Sequence, residues 1–270
     1  MDSLNVMTFN STGLGESKRQ FIKELLDDHK PELMFLQETW LLTSNLATLG
    51  SIHESYLFCG TSAVPEGSLV KGRPFGGVAV LWRKDIAESV TVVKNINCAR
   101  ICSVELKGKL HGNERDFILI NVYCPVDNRR KSHVDDDLLG CFDAIDQLME
   151  RYPNHCVILG GDMNMDLRRG NAHDKFLRCF CSDKGLQDVW LLEKVDLCET
   201  YSDYFNDSAS CIDRFVVSQC LAPLVTVCKT CDYADNPSNH SPVSIDVSVS
   251  LDYSNVLKIP HVKSTTEYIA

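Results

Sequence analysis

Six polar clusters punctuate the apolar runs of this 270-residue chain, and their side chains are those of hydrolytic chemistry. Asn10 closes Val6-Met7-Thr8-Phe9, Gln37-Glu38 closes Leu33-Met34-Phe35-Leu36, and Gly160-Gly161-Asp162-Met163-Asn164 follows Val157-Ile158-Leu159. Asn121-Val122-Tyr123-Cys124-Pro125 ends another run, and Ser210-Cys211-Ile212-Asp213-Arg214 and Ser238-Asn239-His240-Ser241-Pro242 come later. Taken singly, a carboxylate after a strand is a turn former or helix cap as readily as a catalyst. Together, Asn10, Glu38, Asp162 and Asn164 form an oxygen-rich set, and hard oxygen ligands select Mg²⁺ or Mn²⁺ over zinc. His240 with an aspartate partner, Asp213, supplies an oriented imidazole for charge developing on a phosphate.

These residues need a scaffold that delivers strand ends to one rim. Short runs rich in Val, Ile and Phe predict strands at Leu4–Phe9, Glu32–Leu36, Gly77–Trp82, Ile101–Leu106 and Phe117–Val122, then at Cys156–Leu159, Phe215–Val217, Leu224–Cys228 and Val243–Val249. Three helical patterns lie between them. Ser17 with Gln20 reads as a capping box ahead of Phe21, Ile22, Leu25 and Leu26. Leu138, Phe142, Ile145 and Met149 form a stripe within Val134 to Arg151, and His173 to Lys184 is a weaker third pattern. Many strands with few helices predict an α/β chain of two packed sheets with helices outside. No Pro/Gly-rich linker splits it, so residues 1–251 are expected to form one domain and residues 252–270 a loose tail or linker.

Charge and cysteine content narrow the class. With 27 basic and 37 acidic residues the formal charge is −10, which excludes a basic nucleic-acid coat protein. An apolar fraction of 44% excludes dominant disorder. The 13 cysteines read as small buried hydrophobes of a reducing compartment, and neither Cys228-x-x-Cys231 nor Cys179-x-Cys181 has a partner pair at zinc-ribbon spacing. Met1-Asp2-Ser3 opens no secretion signal, and no apolar run is long enough for a membrane span.

The ordered series Asn10, Gln37-Glu38, Asn121-x-Tyr123-x-Pro125, Gly161-Asp162-x-Asn164, Ser210-x-Ile212-Asp213 and Asn239-His240-Ser241-Pro242 resembles the endonuclease/exonuclease/phosphatase superfamily, the group that includes DNase I. The stretch from Lys18-Arg19 to Thr39-Trp40, the Gly76-Gly77-Val78-Ala79-Val80 strand and the turn at Gly160 to Asn164 look most like endonuclease domains of non-LTR (LINE-type) retrotransposons. The resemblance implies a four-layered α/β sandwich, two mixed β-sheets flanked by helices, as in DNase I. It implies a divalent metal (Mg²⁺ or Mn²⁺) on Glu38, assisted by Asn10 and by Asn239. By the same resemblance Asp162 would activate the attacking water and Asn164 would position it. His240, fixed by Asp213, would donate to the phosphate together with Tyr123. The implied reaction leaves 3′-hydroxyl and 5′-phosphate ends, the 3′-hydroxyl priming reverse transcription. A reverse transcriptase in the same longer polypeptide is the implied partner, with a monomeric domain working in the nucleus, or in the cytoplasm before import. One departure stands out: the family usually has Asp directly before the catalytic His, and here the residue is Asn239.

DNA contact has a few sequence candidates. Arg129-Arg130-Lys131 and Arg168-Arg169 follow two of the catalytic motifs, and Lys71 and Arg73 precede a strand. Tyr204 and Phe205, within Tyr201 to Ala209, would sit on a hairpin that probes a minor groove, or else fill the core. An apurinic/apyrimidinic repair endonuclease, a phosphoinositide or nucleotide phosphatase, and a module of the same fold with reduced or lost activity are the competing readings.

Overall fold

Side chains alternate across a strand, so a strand buried on both faces serves two cores at once. That rule builds the whole molecule. The computed structural model describes residues 3–68, 72–126, 134–193, 195–196, 198–203 and 206–251. One mixed sheet has the spatial order Val225–Thr230, Val243–Val247, Leu4–Asn10, Leu33–Gln37, Val78–Arg83, Tyr56–Thr61. The second runs Leu186–Asp188, Asp213–Ser218, Cys156–Asp162, Phe117–Tyr123, Ile101–Leu106, Val90–Val92.

Three apolar layers separate four structural ones. Leu4, Val6, Leu33, Phe35, Val78 and Val80 of the first sheet meet Phe117, Leu119, Ile158, Phe215 and Val217 of the second in the central core. The intervening residues Met7, Phe9, Met34 and Leu36 point outward onto Phe21, Ile22, Leu25 and Leu26 of helix Glu16–His29. On the far side, Ile118, Ile120, Val157 and Leu159 pack on Leu138, Phe142 and Ile145 of helix Asp136–Arg151 and on Leu177 of helix Ala172–Asp183. This is the expected four-layered sandwich.

Each sheet is antiparallel except for one central parallel pair, Leu4–Asn10 with Leu33–Gln37 and Phe117–Tyr123 with Cys156–Asp162. Parallel strands end on the same side. Asn10 is therefore in register with Gln37, and Asp162 with Tyr123; the antiparallel neighbour brings Asp213 opposite Asp162. The two sheets are tied at that end by a buried amide pair. Gln37 Nε2 donates to Asn121 Oδ1 (2.6 Å), and Asn121 Nδ2 donates to the Leu36 and Ala79 carbonyls (3.0 and 2.8 Å). Both motif residues are thus framework, satisfying polar groups that would otherwise be orphaned in the core.

Glycine is required at the approach to Asp162. A Cβ on Gly160 would lie 2.4 Å from the Phe215 ring, and one on Gly161, at φ +139°, would lie 2.0 Å from the Val122 carbonyl oxygen. The Gly-Gly pair lets two strands and an aromatic ring close together behind the carboxylate.

Three sequence expectations change here. The capping box is absent: the first helix starts at Glu16 with Gly15 as N-cap and no side-chain cap, so Ser17 lies inside the first turn. The helix His173–Lys184 instead runs Ala172–Asp183 and carries the capping box, with Asn171 and Asp174 reciprocally bonded. Tyr56–Thr61 is a full edge strand, and Thr43–Ser51 forms 3₁₀ turns. All thirteen cysteines are free thiols. Among the described residues no helix is long and apolar enough to cross a membrane. Lys71, Arg129, Arg130, Lys131, Tyr204, Phe205 and the 252–270 tail lie outside the described residues.

Candidate active site

Five strand ends deliver one contiguous polar cluster to the rim of the sandwich. Asn10, fully buried, spans the two sheets there: its Nδ2 donates to Glu38 Oε1 (3.1 Å) and to Asp162 Oδ2 (2.9 Å). Its Oδ1 accepts the Thr12 N–H (3.0 Å), and since carboxylates only accept, the amide orientation is fixed. Asn10 therefore assists by holding two carboxylates together through its N–H rather than by offering its oxygen outward. Asp162 Oδ1 accepts the Asn164 backbone N–H (2.9 Å), while Asn164 Nδ2 is used on the Cys124 carbonyl (2.8 Å). Asn164 thus braces the loop carrying Asp162 against the end of the Tyr123 strand.

His240 is seated between two aspartates. Its Nδ1–H donates to Asp213 Oδ2 (2.8 Å), and its Nε2 lies 4.0 Å from Asp162 Oδ2. The ring packs 4.8 Å from Tyr201, the first residue of a hairpin of strands Tyr201–Asp203 and Ser208–Ser210. Two hydroxyls lock this corner. Thr200 Oγ1 accepts the Ile212 and Asp213 N–H groups (3.0 and 2.9 Å). Ser238 Oγ donates to the Asn10 carbonyl (2.8 Å) and accepts the His240 N–H (3.2 Å), joining the histidine loop to the metal-side strand. Asn239 is half-buried, with its side chain beside the Tyr201 hydroxyl and its carbonyl accepting the Ser202 N–H (2.9 Å).

Electrostatics follow from this burial. Desolvation and then the charge of Asp213 push the Asp162 carboxyl up to about 7. Burial opposes an imidazolium at His240, but the Asp213 carboxylate outweighs it and holds the ring at about 9. Burial, followed by the charges of Glu38 and Asp162, raises the half-buried Tyr123 phenol well above its ordinary value and keeps it a proton donor.

The donor set fits a divalent cation. Glu38, Asp162 and Asp213 place three carboxylates in one cluster with a single imidazole to balance them, and Asp213 Oδ1 is buried without a partner. Ligand atoms of Asp162, Asp213 and His240 lie within 4.8 Å of one another. Backbone strain is concentrated here too: Thr12, Glu38, Trp40 and Asn164 all have φ between +47° and +54°. Each such residue costs on the order of 1–3 kcal/mol, which surrounding hydrogen bonds must offset.

Around this centre stand contacts that the sequence motifs did not mark. Trp40 Nε1 donates to Glu38 Oε2 (3.0 Å), and the Arg73 guanidinium lies 4.1 Å above the indole ring. Arg100 stacks 5.6 Å from the Tyr123 ring centroid. A groove of about 620 Å³ opens beside them, lined by Glu38, Tyr123, Arg100, Phe75 and Val126, with Asp135 to Asp137 on its far wall. Phe75 and Val126 are well exposed there.

Arg168 and Arg169, read from the sequence as DNA contacts, are engaged within the chain. Arg168 forms a bidentate pair with the buried Asp166 (Nε–Oδ1 2.9 Å, Nη2–Oδ2 2.7 Å), and Arg169 Nη2 donates to the Asn164 carbonyl (3.1 Å). Asp166 also accepts the Cys211 N–H (3.1 Å), bridging the loops that carry Asp162 and Asp213. Burial alone would raise Asp166; Arg168 and the two N–H bonds more than offset it and bring the carboxyl down to about 2. We predict that Asp166→Asn lowers stability at pH 7 by about 1 kcal/mol, because Arg168 is 43% exposed and solvent screens its side of the pair. Because the folded pKa is depressed, that contribution is present above about pH 4 and is lost as pH falls towards about 2. Urea melts of both proteins across this range should converge at the acid end; parallel curves would contradict the assignment.

No curated protein matches the sequence at a significant level. Solved structures share the fold at low identity. The AP endonuclease LMAP from Leishmania major superposes with TM-score 0.73 at 15% identity, covering 91% of this chain and 87% of its own. A 3′ phosphatase from Neisseria bound to a product DNA hairpin gives 0.64 at 19%, over 90% and 99%. The endonuclease domain of TRAS1, a telomere-specific non-LTR retrotransposon, gives 0.64 at 14%, over 91% and 98%. The sequence itself matches the Endonuclease/Exonuclease/phosphatase family over residues 3–240, a span that ends on His240. The chain belongs to that family, and the cluster around Asp162 is where its phosphoesterase chemistry has to be sought.

Proposed function

We propose that this chain is a Mg²⁺-dependent (or Mn²⁺-dependent) DNA endonuclease that nicks target DNA for the reverse transcription of a non-LTR retrotransposon. The observation that carries the reading is the Asp213–His240–Asp162 line joined through Asn10 to Glu38, which together with Tyr123 lines the groove. The TRAS1 domain and a DNA-bound phosphatase share the fold and so support nucleic acid as substrate. A reverse transcriptase in the same polypeptide would use the product, with the domain working in the nucleus, or in the cytoplasm before import.

Each residue has a separable task. Asp162, with a raised carboxyl pKa, takes the proton from the attacking water, since a base is most effective near its working pH. The water oxygen forms a bond to phosphorus in line with the departing 3′ oxygen, giving 5′-phosphate and 3′-hydroxyl ends. His240, charged through Asp213, donates from Nε2 to a non-bridging oxygen, and Tyr123 adds its phenolic proton. Glu38, its carboxylate held by Asn10, would hold the cation, which when bound neutralises phosphate charge and stabilises the leaving oxygen. Asn164 keeps Asp162 in place.

Asn239 is the local test of the family pattern. Its side chain is turned to Tyr201, and Glu38 and Asp162 already supply charge. Asn239→Asp should therefore change the nicking rate by less than about threefold, a difference well under 1.4 kcal/mol. A tenfold rise would show that Asn239 limits the enzyme.

Substrate class is tested by comparing intact supercoiled plasmid with an oligonucleotide carrying an abasic site. Nicking of the plasmid without marked abasic preference is expected. Strong abasic preference would replace the retrotransposon reading with a repair endonuclease.

A further inference from the structure

Trp40 lies in no catalytic motif, yet it touches the charged centre through its edge and a cation through its face. Its indole N–H donates to Glu38 Oε2 (3.0 Å) while Asn10 holds Oε1 (3.1 Å), so each oxygen of this carboxylate is fixed by one donor. The remaining lone pairs of both oxygens are thereby given set directions. Trp40 is itself rigid. Its backbone N–H donates to the Gly76 carbonyl (2.9 Å), the preceding Thr39 N–H to that of Gly77 (3.1 Å), and its φ is +54°. The ring rests on Gly13, where a Cβ would come within 2.3 Å of Cε3.

The outer face of the same ring carries Arg73, with Cζ 4.1 Å from the centroid. Arg73 is exposed, and among the described residues its guanidinium has no hydrogen-bond acceptor or carboxylate partner. Lys18 lies 5.8 Å from the centroid but is committed to the Thr12 carbonyl (2.7 Å) and hydroxyl. A guanidinium laid flat on an indole keeps its planar fork of donors free at the edge, the geometry that suits phosphate oxygens. In a chain of net charge −10, such a fixed cation beside the site matters more than it would on a basic protein.

We propose that Trp40 is the positioning residue of this site, its indole N–H fixing Glu38 for a divalent cation and its ring seating Arg73 as the contact for a backbone phosphate next to the one cleaved. The proposal rests on the nuclease reading for the phosphate, and on the chain's own geometry for the cation. Its two halves separate by mutation. Trp40→Phe keeps a ring under Arg73 and removes the N–H; Arg73→Ala removes the cation and leaves the N–H.

The test uses the whole chain and two readouts. Calorimetric titration with Mn²⁺ and with Mg²⁺, without DNA, should show Trp40→Phe binding about tenfold more weakly, the scale of losing an outer hydrogen bond to a ligand. Arg73→Ala should bind the metal as well as wild type or slightly better. Anisotropy of a labelled duplex in EDTA over a salt series should show Arg73→Ala with weaker binding and a slope reduced by about one, with Trp40→Phe close to wild type. Trp40→Leu, which removes the N–H and leaves the Gly13 turn and its bond to the Glu38 carbonyl (2.7 Å) in place, should reproduce the metal defect and serves if Trp40→Phe folds poorly. Unchanged metal affinity in Trp40→Phe, or an unchanged salt slope in Arg73→Ala, overturns the corresponding half. If the chain cleaves no DNA, the nuclease reading fails while the metal titration still decides the role of Trp40. If it cleaves DNA and Trp40→Phe binds metal normally, only the Trp40 assignment fails.

Discussion

Asp162→Asn lowers phosphodiester cleavage by about 10³- to 10⁴-fold and leaves the chain folded, the range expected for loss of a positioned general base. Asn is nearly isosteric and keeps an oxygen for the Asn164 N–H, so the loop retains its brace. What disappears is the acceptor for the proton of water, and the new amide also sets a donor against the Asn10 Nδ2. Stability should move the other way. Asp162 is buried beside Asp213, and its raised carboxyl pKa means that ionising it opposes folding. That penalty is absent below the unfolded value near 4 and grows as pH rises to about 7. In EDTA, the Asn variant should therefore gain melting temperature relative to wild type as pH rises through that window. A variant that is inactive because it unfolds would show the reverse.

His240→Ala should reduce the rate by about 10²- to 10³-fold, the effect of removing a preorganised donor from a developing oxyanion. Asp213→Asn should lower it by about 10²-fold through a different route. The carboxylate fixes Nδ1 as the bonded nitrogen, leaving Nε2 to face Asp162, and it keeps the ring charged against the pull of burial. Without it the imidazole titrates at lower pH, so the alkaline limb of the rate profile, set near 9 in the wild type, should shift towards acid. The double variant should be no worse than His240→Ala, because the two residues act as one unit. Additive losses would mean that Asp213 acts on something other than His240, and its unpartnered Oδ1 would then be the place to look.

How much of this could be read beforehand depends on range along the chain. The central strands were legible because their apolar runs are long and end in polar residues, and the parallel pairing then aligned Asn10 with Gln37 and Tyr123 with Asp162. Short elements such as Val90–Val92 and Gly108–Leu110 carry too few residues for a period to show. Gln37 and Asn121 stood in motifs but proved to be the tie between sheets, since spacing marks a strand end without saying which face a side chain takes. Arg168 was read as a free cation, although the Asp166-x-Arg168 spacing already offered it a partner two residues away. Trp40 with Arg73, Tyr123 with Arg100, and Thr200 beneath Asp213 could not be seen, because each contact joins segments with no shared pattern.

A net charge of −10 is compatible with a nuclease, given where the charges sit. Three of the acidic residues build the centre, and bound cation would offset two of those charges and favour phosphate at the rim. The remaining acidity should keep binding to arbitrary DNA weak, since few phosphates are neutralised outside the site.

The most direct measurement is incubation of the purified chain with supercoiled plasmid and Mg²⁺, followed by mapping of the new ends. Nicked circles whose 3′ ends are extended directly by a polymerase are predicted, dependent on divalent cation and lost in Asp162→Asn and in Glu38→Ala. No cleavage with Mg²⁺ or Mn²⁺, 3′-phosphate ends, or nicking that survives Asp162→Asn would contradict the account.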